Sequence, residues 1–104
     1  MSSESLHAPR ERLTAHTLAL HQAIASVMEE LDAVDWYRQR ADDCDEPELK
    51  AILLHNAREE IEHAAMALEW IRRFDRDFDK QLREFLFTEG SITDREEKNE
   101  TGIS

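Results

Sequence analysis

The sequence predicts an all-α protein, with two long antiparallel helices, a short C-terminal helix and dimerisation into a four-helix bundle. Three observations favour this class. Only two Gly and two Pro interrupt the 104 residues, so long helices are the default outcome. Apolar residues recur at steps of three, four and seven, which is the spacing of one helix face. Hydrophobic residues make up 40% of the chain, so we expect disorder only near the termini.

The first helix is expected over about residues 9–41. Pro9 suits a first helical turn, where its missing N–H is not needed. Neither Gly nor Pro follows before Ala41, and a helix of roughly 30 residues would be about 45–50 Å long. The apolar stripe of this helix consists of Leu13, Leu20, Ile24, Val27, Leu31 and Val34.

The second helix should begin at Pro47, after the polar break "DDCDE", with Asp45 or Glu46 as its N-cap. Because the break is short, the first two helices are expected to fold back on each other as a hairpin. The apolar stripe of the second helix consists of Leu49, Leu53, Ala57, Ala64, Ala67, Ile71 and Phe74.

The third helix is expected over about residues 77–88 and should stop before Gly90. Residues 1–90 are predicted to form one helical-hairpin domain, and residues 91–104 a charged tail or a frayed turn of helix. Two helices cannot enclose a core by themselves, so the hairpin must bury its stripe against a partner. A second copy is the simplest partner, and two hairpins make a four-helix bundle.

The composition excludes several classes of function. The net charge of −11 argues against a nucleic-acid partner and favours cations. No stretch approaches the roughly 20 apolar residues of a membrane span. The polar start "MSSESLHAPRER" is not a secretory signal, and the single cysteine, Cys44, suits a reducing cytoplasm.

A carboxylate and an imidazole share the apolar side of the second helix, in the segment "REEIEHAAM". Glu60 falls about 20° from the line through Leu53, and His63 about 80° away on the same side. An ionised carboxylate in an apolar core needs a partner, and this stripe contains no Lys or Arg. A hydrogen bond between Glu60 and His63 at an ordinary interface is one interpretation. A pair of metal ligands is the one we favour.

The first helix offers one further inward carboxylate. Glu30 lies about 60° from Val27, at the edge of the stripe, while Glu29 points away. Tyr37 lies two turns further on the same side, either as a phenol beside the site or as a packed aromatic. A ferritin-type di-iron site needs one Glu from each of two helices and Glu-x-x-His from each of two others. Two copies would supply this set, with four carboxylates to balance two divalent cations.

The outer face of the first helix carries Glu29, Asp32 and Trp36 within about 60° of one another. A solvated acidic face is the ordinary explanation. Trp36 is a large apolar group to leave in water, however, and suggests a second protein contact. Paired across such a contact, the two carboxylates would form an outer site for Ca²⁺ or for Fe²⁺ in transit.

From about residue 20 to 93 the sequence resembles the encapsulated ferritin family. The resemblance rests on "MEELDAVDWY", "HNAREEIEHAAMALEWIRR" and "FLFTEGSIT". The sequence differs from the family pattern at two places. Asp32 stands where the family usually has Glu. The chain ends "NETGIS", without the family's short shell-docking peptide.

The resemblance implies a ferroxidase that oxidises Fe²⁺ with O₂ at a di-iron centre formed by paired chains. It implies that the pairs form a ring-shaped homodecamer inside a cytoplasmic encapsulin shell, where the iron is mineralised. Its iron ligands would be Glu30, Glu60 and His63, with Tyr37 beside them. Its outer metal site would be Glu29 and Asp32, with Trp36 nearby. Two other functions remain open, a rubrerythrin-like di-iron peroxidase and a non-catalytic helical adaptor.

Overall fold

The computed structural model describes residues 5–101, and side chains as far as residue 97. A 3₁₀ turn, Arg10–Arg12, precedes four α-helices: α1 Ala15–Asp43, α2 Pro47–Phe74, α3 Arg76–Phe85 and α4 Ile92–Thr101. The described residues contain no β-strand, which confirms the all-α prediction. Nowhere in the described chain is a helix both long enough and apolar enough to span a bilayer.

The first helix begins later than predicted. Pro9 flanks the 3₁₀ turn, and Leu13 then adopts an extended conformation that separates this turn from α1. Thr14 is the N-cap of α1, because its side-chain oxygen accepts a hydrogen bond from the backbone N–H of Thr17 at 3.1 Å. A capping hydroxyl in this position satisfies an N–H that would otherwise have no partner, so the helix starts after it.

The second helix begins where the sequence predicts. Glu46, rather than Asp45, is the N-cap, and its carboxylate accepts from the N–H groups of Glu48 (3.0 Å) and Leu49 (3.2 Å). Pro47 occupies the first turn. Three residues separate α1 from α2, so the two helices pack as the predicted antiparallel hairpin.

The third helix spans Arg76–Phe85 and ends earlier than predicted. Asp75 caps it by accepting from the N–H of Phe78 at 3.0 Å, and the next residue after the helix, Leu86, is extended. Part of the predicted polar tail forms α4, while residues 102–104 lie outside the described chain. The Nε of Arg95 donates to the backbone oxygen of Glu84 at 2.6 Å, which ties α4 to the end of α3.

The core of the hairpin is small. Its buried hydrophobic residues are Ala25, Ala41, Ala57, Ala64 and Ile71. Ala57, Ala64 and Ile71 confirm the stripe predicted on α2. In the single chain, Leu31 of the α1 stripe and Leu49 of the α2 stripe are left 55% and 48% exposed. Small alanine side chains let α1 and α2 approach closely, so larger side chains are left at the flanks of the hairpin.

The overall dimensions are those of an elongated chain. Its radius of gyration is 17.8 Å, against about 13 Å for a compact domain of this length. Its accessible surface is 8250 Å², against about 6,100 Å² for a compact monomer of the same mass. The excess of about 2,000 Å² is comparable to the area that homodimer interfaces bury. The chain therefore has surface available for a partner.

Candidate metal centre

Glu60 and His63 lie one helical turn apart on α2 and face each other. The distance from Nδ1 of His63 to Oε1 of Glu60 is 3.5 Å, and their side chains are 49% and 27% exposed. Glu60 lies between the buried Ala57 and Ala64 along the same stripe, which explains why its carboxylate is half-buried. Neither side chain forms an ion pair with a Lys or Arg in the described part of the chain.

Glu30 reaches the same region from α1. Its Oε2 atom is buried and has no hydrogen-bond partner among the described residues. Burial raises the pKa of Glu30 above its ordinary value. The charge on His63 opposes this rise, whereas the carboxylates of Glu60 and Glu29 add to it. Glu30 is therefore close enough to Glu60 and His63 to interact with both electrostatically.

A single copy does not complete a metal site. Over residues 5–97, whose side chains the structure describes, no three or more His, Cys, Asp or Glu side chains converge in a geometry that could hold a metal ion. The hairpin brings the Glu60–His63 pair of α2 near Glu30 of α1. The unpaired oxygen of Glu30 can only accept when it is ionised, so it requires a donor or a cation. Carboxylate oxygens with an imidazole nitrogen suit Fe²⁺ and similar divalent ions.

Tyr37 is half-buried on α1, two turns beyond Glu30. The guanidinium of Arg40 lies over its ring, 5.6 Å from the centroid. This cation–π contact fixes one face of the phenol. No contact described in the structure joins Tyr37 to Glu30, Glu60 or His63, so its place beside the site stays a prediction.

The residues predicted for the outer site lie apart from this pair. Glu29, Asp32 and Trp36 are all exposed on α1, and the Trp36 side chain is left 52% exposed. Of these three residues, Glu29 is the one that interacts with Glu30, because its negative charge raises the pKa of Glu30. All three lie on the exposed side of α1, as their helical spacing predicts. Their use as metal ligands stays a prediction.

Sequence reasoning missed an aromatic cluster near the end of α2. His16 stacks on Phe74, and Phe74 stacks on Trp70, with ring centroids 4.4 Å apart in both pairs. The sequence suggests no acidic partner for His16, yet its Nε2 lies 3.5 Å from Oδ2 of Asp75. The two residues are 59 positions apart, so no local pattern signals the pair.

Sequence reasoning also missed an ion-pair network at the corner between α2 and α3. Arg72 donates from Nε and Nη2 to the two oxygens of Glu69, at 2.7 and 2.8 Å, and contacts Asp79 as well. The two bonds from Arg72, with a further one from Nε of Arg73, lower the pKa of Glu69 to about 2. The Glu69–Arg72 and Glu69–Arg73 spacings of three and four residues are a local signal that could have identified part of this network.

Comparison with known proteins finds a matching family model and several similar proteins. The EncFtn-like family model matches residues 5–89. An encapsulated ferritin-like protein of Rhodospirillum rubrum is 60% identical over 92 residues, which are 88% of this chain and 66% of that protein. The chain thus spans just under two thirds of the length of this relative. A ferritin-like protein of Thermotoga maritima is 41% identical over 100 residues, 96% of this chain and 88% of that protein.

A solved structure supports the same assignment. The crystal structure of a protein from Nitrosomonas europaea superposes with a TM-score of 0.81 and 53% sequence identity. The superposition covers 85% of this chain and 97% of that one. The family model covers most of the chain, and both relatives and structure agree with it. The chain therefore belongs to the EncFtn-like family of encapsulated ferritin-like proteins.

Proposed function

We propose that the chain is a ferroxidase, which oxidises Fe²⁺ to Fe³⁺ with O₂ at a di-iron centre formed across a dimer interface. The observation that carries this proposal is the buried, unpartnered Oε2 of Glu30 beside the Glu60–His63 pair. A buried carboxylate oxygen without a partner is costly unless a cation or a donor reaches it. The open hairpin has surface for a second copy to bring the missing ligands.

The number of ligands favours two cations rather than one. Two copies related by a two-fold axis would place two Glu30, two Glu60 and two His63 side chains at one interface. The four carboxylates carry four negative charges, which two divalent cations balance. The contact of 3.5 Å between Oε1 of Glu60 and Nδ1 of His63, on the same side of α2, supports this count.

Each residue has a distinct role in this proposal. Glu30 and Glu60 would bind Fe²⁺ through their carboxylate oxygen atoms and supply the negative charge that balances the cations. His63 binds as a neutral imidazole, and Tyr37 lies beside the site. The iron pair, when bound, supplies two electrons at one place, so that O₂ and two protons become hydrogen peroxide while two Fe³⁺ are released. Because burial raises the pKa of Glu30, metal uptake at this residue displaces a proton from part of the population near that pKa.

The outer face of α1 provides a second metal site in this proposal. Glu29 and Asp32 are exposed and offer oxygen ligands, which Ca²⁺ and Fe²⁺ in transit both accept. The exposed Trp36 marks this face for contact with another copy. Asp32 is one methylene shorter than the Glu that the family usually carries, so its oxygen lies closer to the helix.

The cellular setting is proposed from the relatives. The protein from Rhodospirillum rubrum carries the word "encapsulated" in its name. We place this chain likewise inside an encapsulin nanocompartment of the cytoplasm, where ferric iron is stored as a mineral. From the family resemblance, the paired chains would assemble into a ring-shaped homodecamer.

The test is the initial rate of Fe³⁺ formation, followed by absorbance after Fe²⁺ is added in air-saturated buffer. Glu60→Gln removes one ligand charge and should reduce the rate to that of iron without protein. Glu62→Gln is the matched control, because Glu62 is an exposed residue two positions along the same helix, on its opposite face. An unchanged rate in Glu60→Gln, or an equal loss in both variants, would refute the assignment.

The oxidant needs a separate comparison. A ferroxidase should turn over faster with O₂ than with an equal concentration of hydrogen peroxide under anaerobic conditions. A rubrerythrin-like peroxidase would show the opposite preference. Retention of the full rate by His63→Ala, with no metal bound after purification, would instead support a helical adaptor.

A further inference from the structure

Four arginines lie together at the corner where α2 ends and α3 begins. An open cavity of about 520 Å³ at this corner, the corner cavity, is lined by Arg72, Arg73, Arg76 and Arg83, together with Phe74 and Asp79. The chain as a whole carries a net charge of −11. Four of its thirteen Lys and Arg side chains therefore line one cavity of an otherwise acidic protein.

Two carboxylates neutralise only part of the positive charge of this cluster. Asp79 contacts Arg72 and accepts from Nε of Arg83 at 2.9 Å. Glu69 accepts from Nε of Arg73 at 2.7 Å, as well as from Arg72. Four guanidinium groups bound to these two carboxylates alone leave two positive charges in excess.

Several donor groups of the cluster have no partner among the described residues. In Arg73 and Arg83 the described hydrogen bonds come from Nε, so the terminal nitrogens of both guanidinium groups are available. Arg76 is exposed, and no ion pair joins it to another side chain within residues 5–97. A guanidinium presents its N–H groups as a planar fork that matches the oxygen atoms of a phosphate.

The position of Arg76 is electrostatically unfavourable in the chain alone. Arg72 and Arg73 lie in the last turn of α2, where the helix dipole favours cations. Arg76 is instead the first residue of α3, where the helix dipole disfavours a positive charge. The neighbouring carboxylate of Asp75 does not compensate, because it accepts from the N–H of Phe78 as the cap of α3. A bound anion would relieve the repulsion on Arg76 from both the dipole and the other arginines.

We propose that the corner cavity binds inorganic phosphate as a doubly charged anion. Its two negative charges match the two positive charges in excess, and Arg73, Arg76 and Arg83 supply charge-assisted hydrogen bonds. These residues come from α2 and α3, so the bound phosphate joins the two helices. None of Glu30, Glu60 and His63 lines the cavity, and the site therefore does not depend on the proposed iron chemistry.

The cavity favours a free phosphate ion over a nucleotide. Phe74 is the aromatic residue of its lining. Both His16 and Trp70 stack on Phe74, with ring centroids 4.4 Å apart in each pair, so the two faces of this ring are occupied. A nucleobase would thus find no free aromatic face in the cavity to stack on.

The experiment is isothermal titration calorimetry of the full chain with inorganic phosphate, in chelator, at low ionic strength and mildly alkaline pH. Wild type should bind one phosphate per chain. Arg76→Gln removes a charged donor and should weaken binding about ten-fold or more. Arg58→Gln is the matched control, because Arg58 is an exposed arginine of α2 that does not line the cavity. It should keep the wild-type affinity. Adenosine monophosphate should bind no more tightly than phosphate.

Thermal melts separate a binding role of Arg76 from a structural one. In chloride, Arg76→Gln should melt at or above the wild-type Tm, because it removes a cation from the N-terminus of α3. Replacing chloride by phosphate at equal ionic strength should raise the Tm of wild type and Arg58→Gln but not that of Arg76→Gln. The proposal is overturned if wild type shows no saturable binding or if both variants lose affinity equally. A Tm of Arg76→Gln below wild type in chloride, or tighter binding of adenosine monophosphate, would overturn it as well.

Discussion

Replacing Glu30 by Gln should stabilise the metal-free chain at neutral pH. The Oε2 atom of Glu30 is buried without a hydrogen-bond partner among the described residues. An unsatisfied buried polar group costs about 1–3 kcal/mol, and a charged one costs more. The residue as a whole is only half-buried, so solvent screens part of the charge and we take the lower end, about 1 kcal/mol. For a domain of this size, that free energy corresponds to a rise in Tm of about 4–8 °C.

The pH dependence of this effect follows from the pKa of Glu30. Burial raises that pKa above the ordinary value of 4.5, which means that ionisation is less favourable in the folded chain than in the unfolded one. Below about pH 4.5 the group is protonated in both states and contributes nothing. As the pH rises through the raised pKa, wild type loses stability that Glu30→Gln retains. The difference in Tm between the two should therefore widen from acid to neutral pH.

Thermal melts followed by far-UV circular dichroism in the presence of a chelator provide the assay. Glu62→Gln removes the same charge from an exposed site and should change the Tm little at either pH. Adding Fe²⁺ anaerobically should reverse the order of wild type and Glu30→Gln, since only wild type gains full stabilisation from the bound cation. A Glu30→Gln chain that melts below wild type in chelator, or a gap that does not vary with pH, would refute the reasoning.

Four further outcomes are expected. Ile71 is 2% exposed, so its truncation should lower the free energy of unfolding measured in denaturant titrations. The loss should be about 2–5 kcal/mol for Ile71→Ala and about 0.5–1.5 kcal/mol for Ile71→Val. Thr14→Ala removes the N-cap of α1 and should lower the free energy of unfolding by about 1 kcal/mol. Thr14→Ser keeps a capping hydroxyl and should retain most of this stability. Arg72 lowers the pKa of Glu69. The contribution of Glu69 to folding stability is therefore present above about pH 4.5 and is lost as the pH falls towards 2. Arg72→Gln should raise that pKa in a carboxyl NMR titration. On the proposed pairing, adding chelator to wild type should lower the mass seen by light scattering.

The parts of the fold that depend on neighbouring residues were predictable from the sequence. Pro47 with an acidic N-cap marks the start of α2, and the spacing of Ala57, Ala64 and Ile71 identifies its buried stripe. The Glu60–His63 contact is also local, because residues three apart on a helix share a face. These predictions needed only helical periodicity and capping preferences.

The remaining features depend on contacts between distant residues. Leu31 fits the α1 stripe by periodicity, yet its exposure is decided by where alanines permit the closest approach of α2. The pairing of His16 with Asp75 requires the N-terminal part of α1 to lie beside the end of α2. The left-handed conformation of Phe87 has no signal in a segment that periodicity assigns to helix. Periodicity describes single helices, whereas these features come from their packing.

The small core and the unpaired carboxylate have a common physical consequence. Close packing of alanines holds α1 against α2 but buries few large side chains, so much of the apolar surface is left on the flanks of the hairpin. Apolar flanks alone would favour indiscriminate association. A half-buried Glu30 and Glu60 on one flank make pairing there unfavourable without cations, because like charges repel where water is excluded. On the proposed pairing, the same carboxylates that bind iron thus also make assembly of that interface conditional on a metal ion.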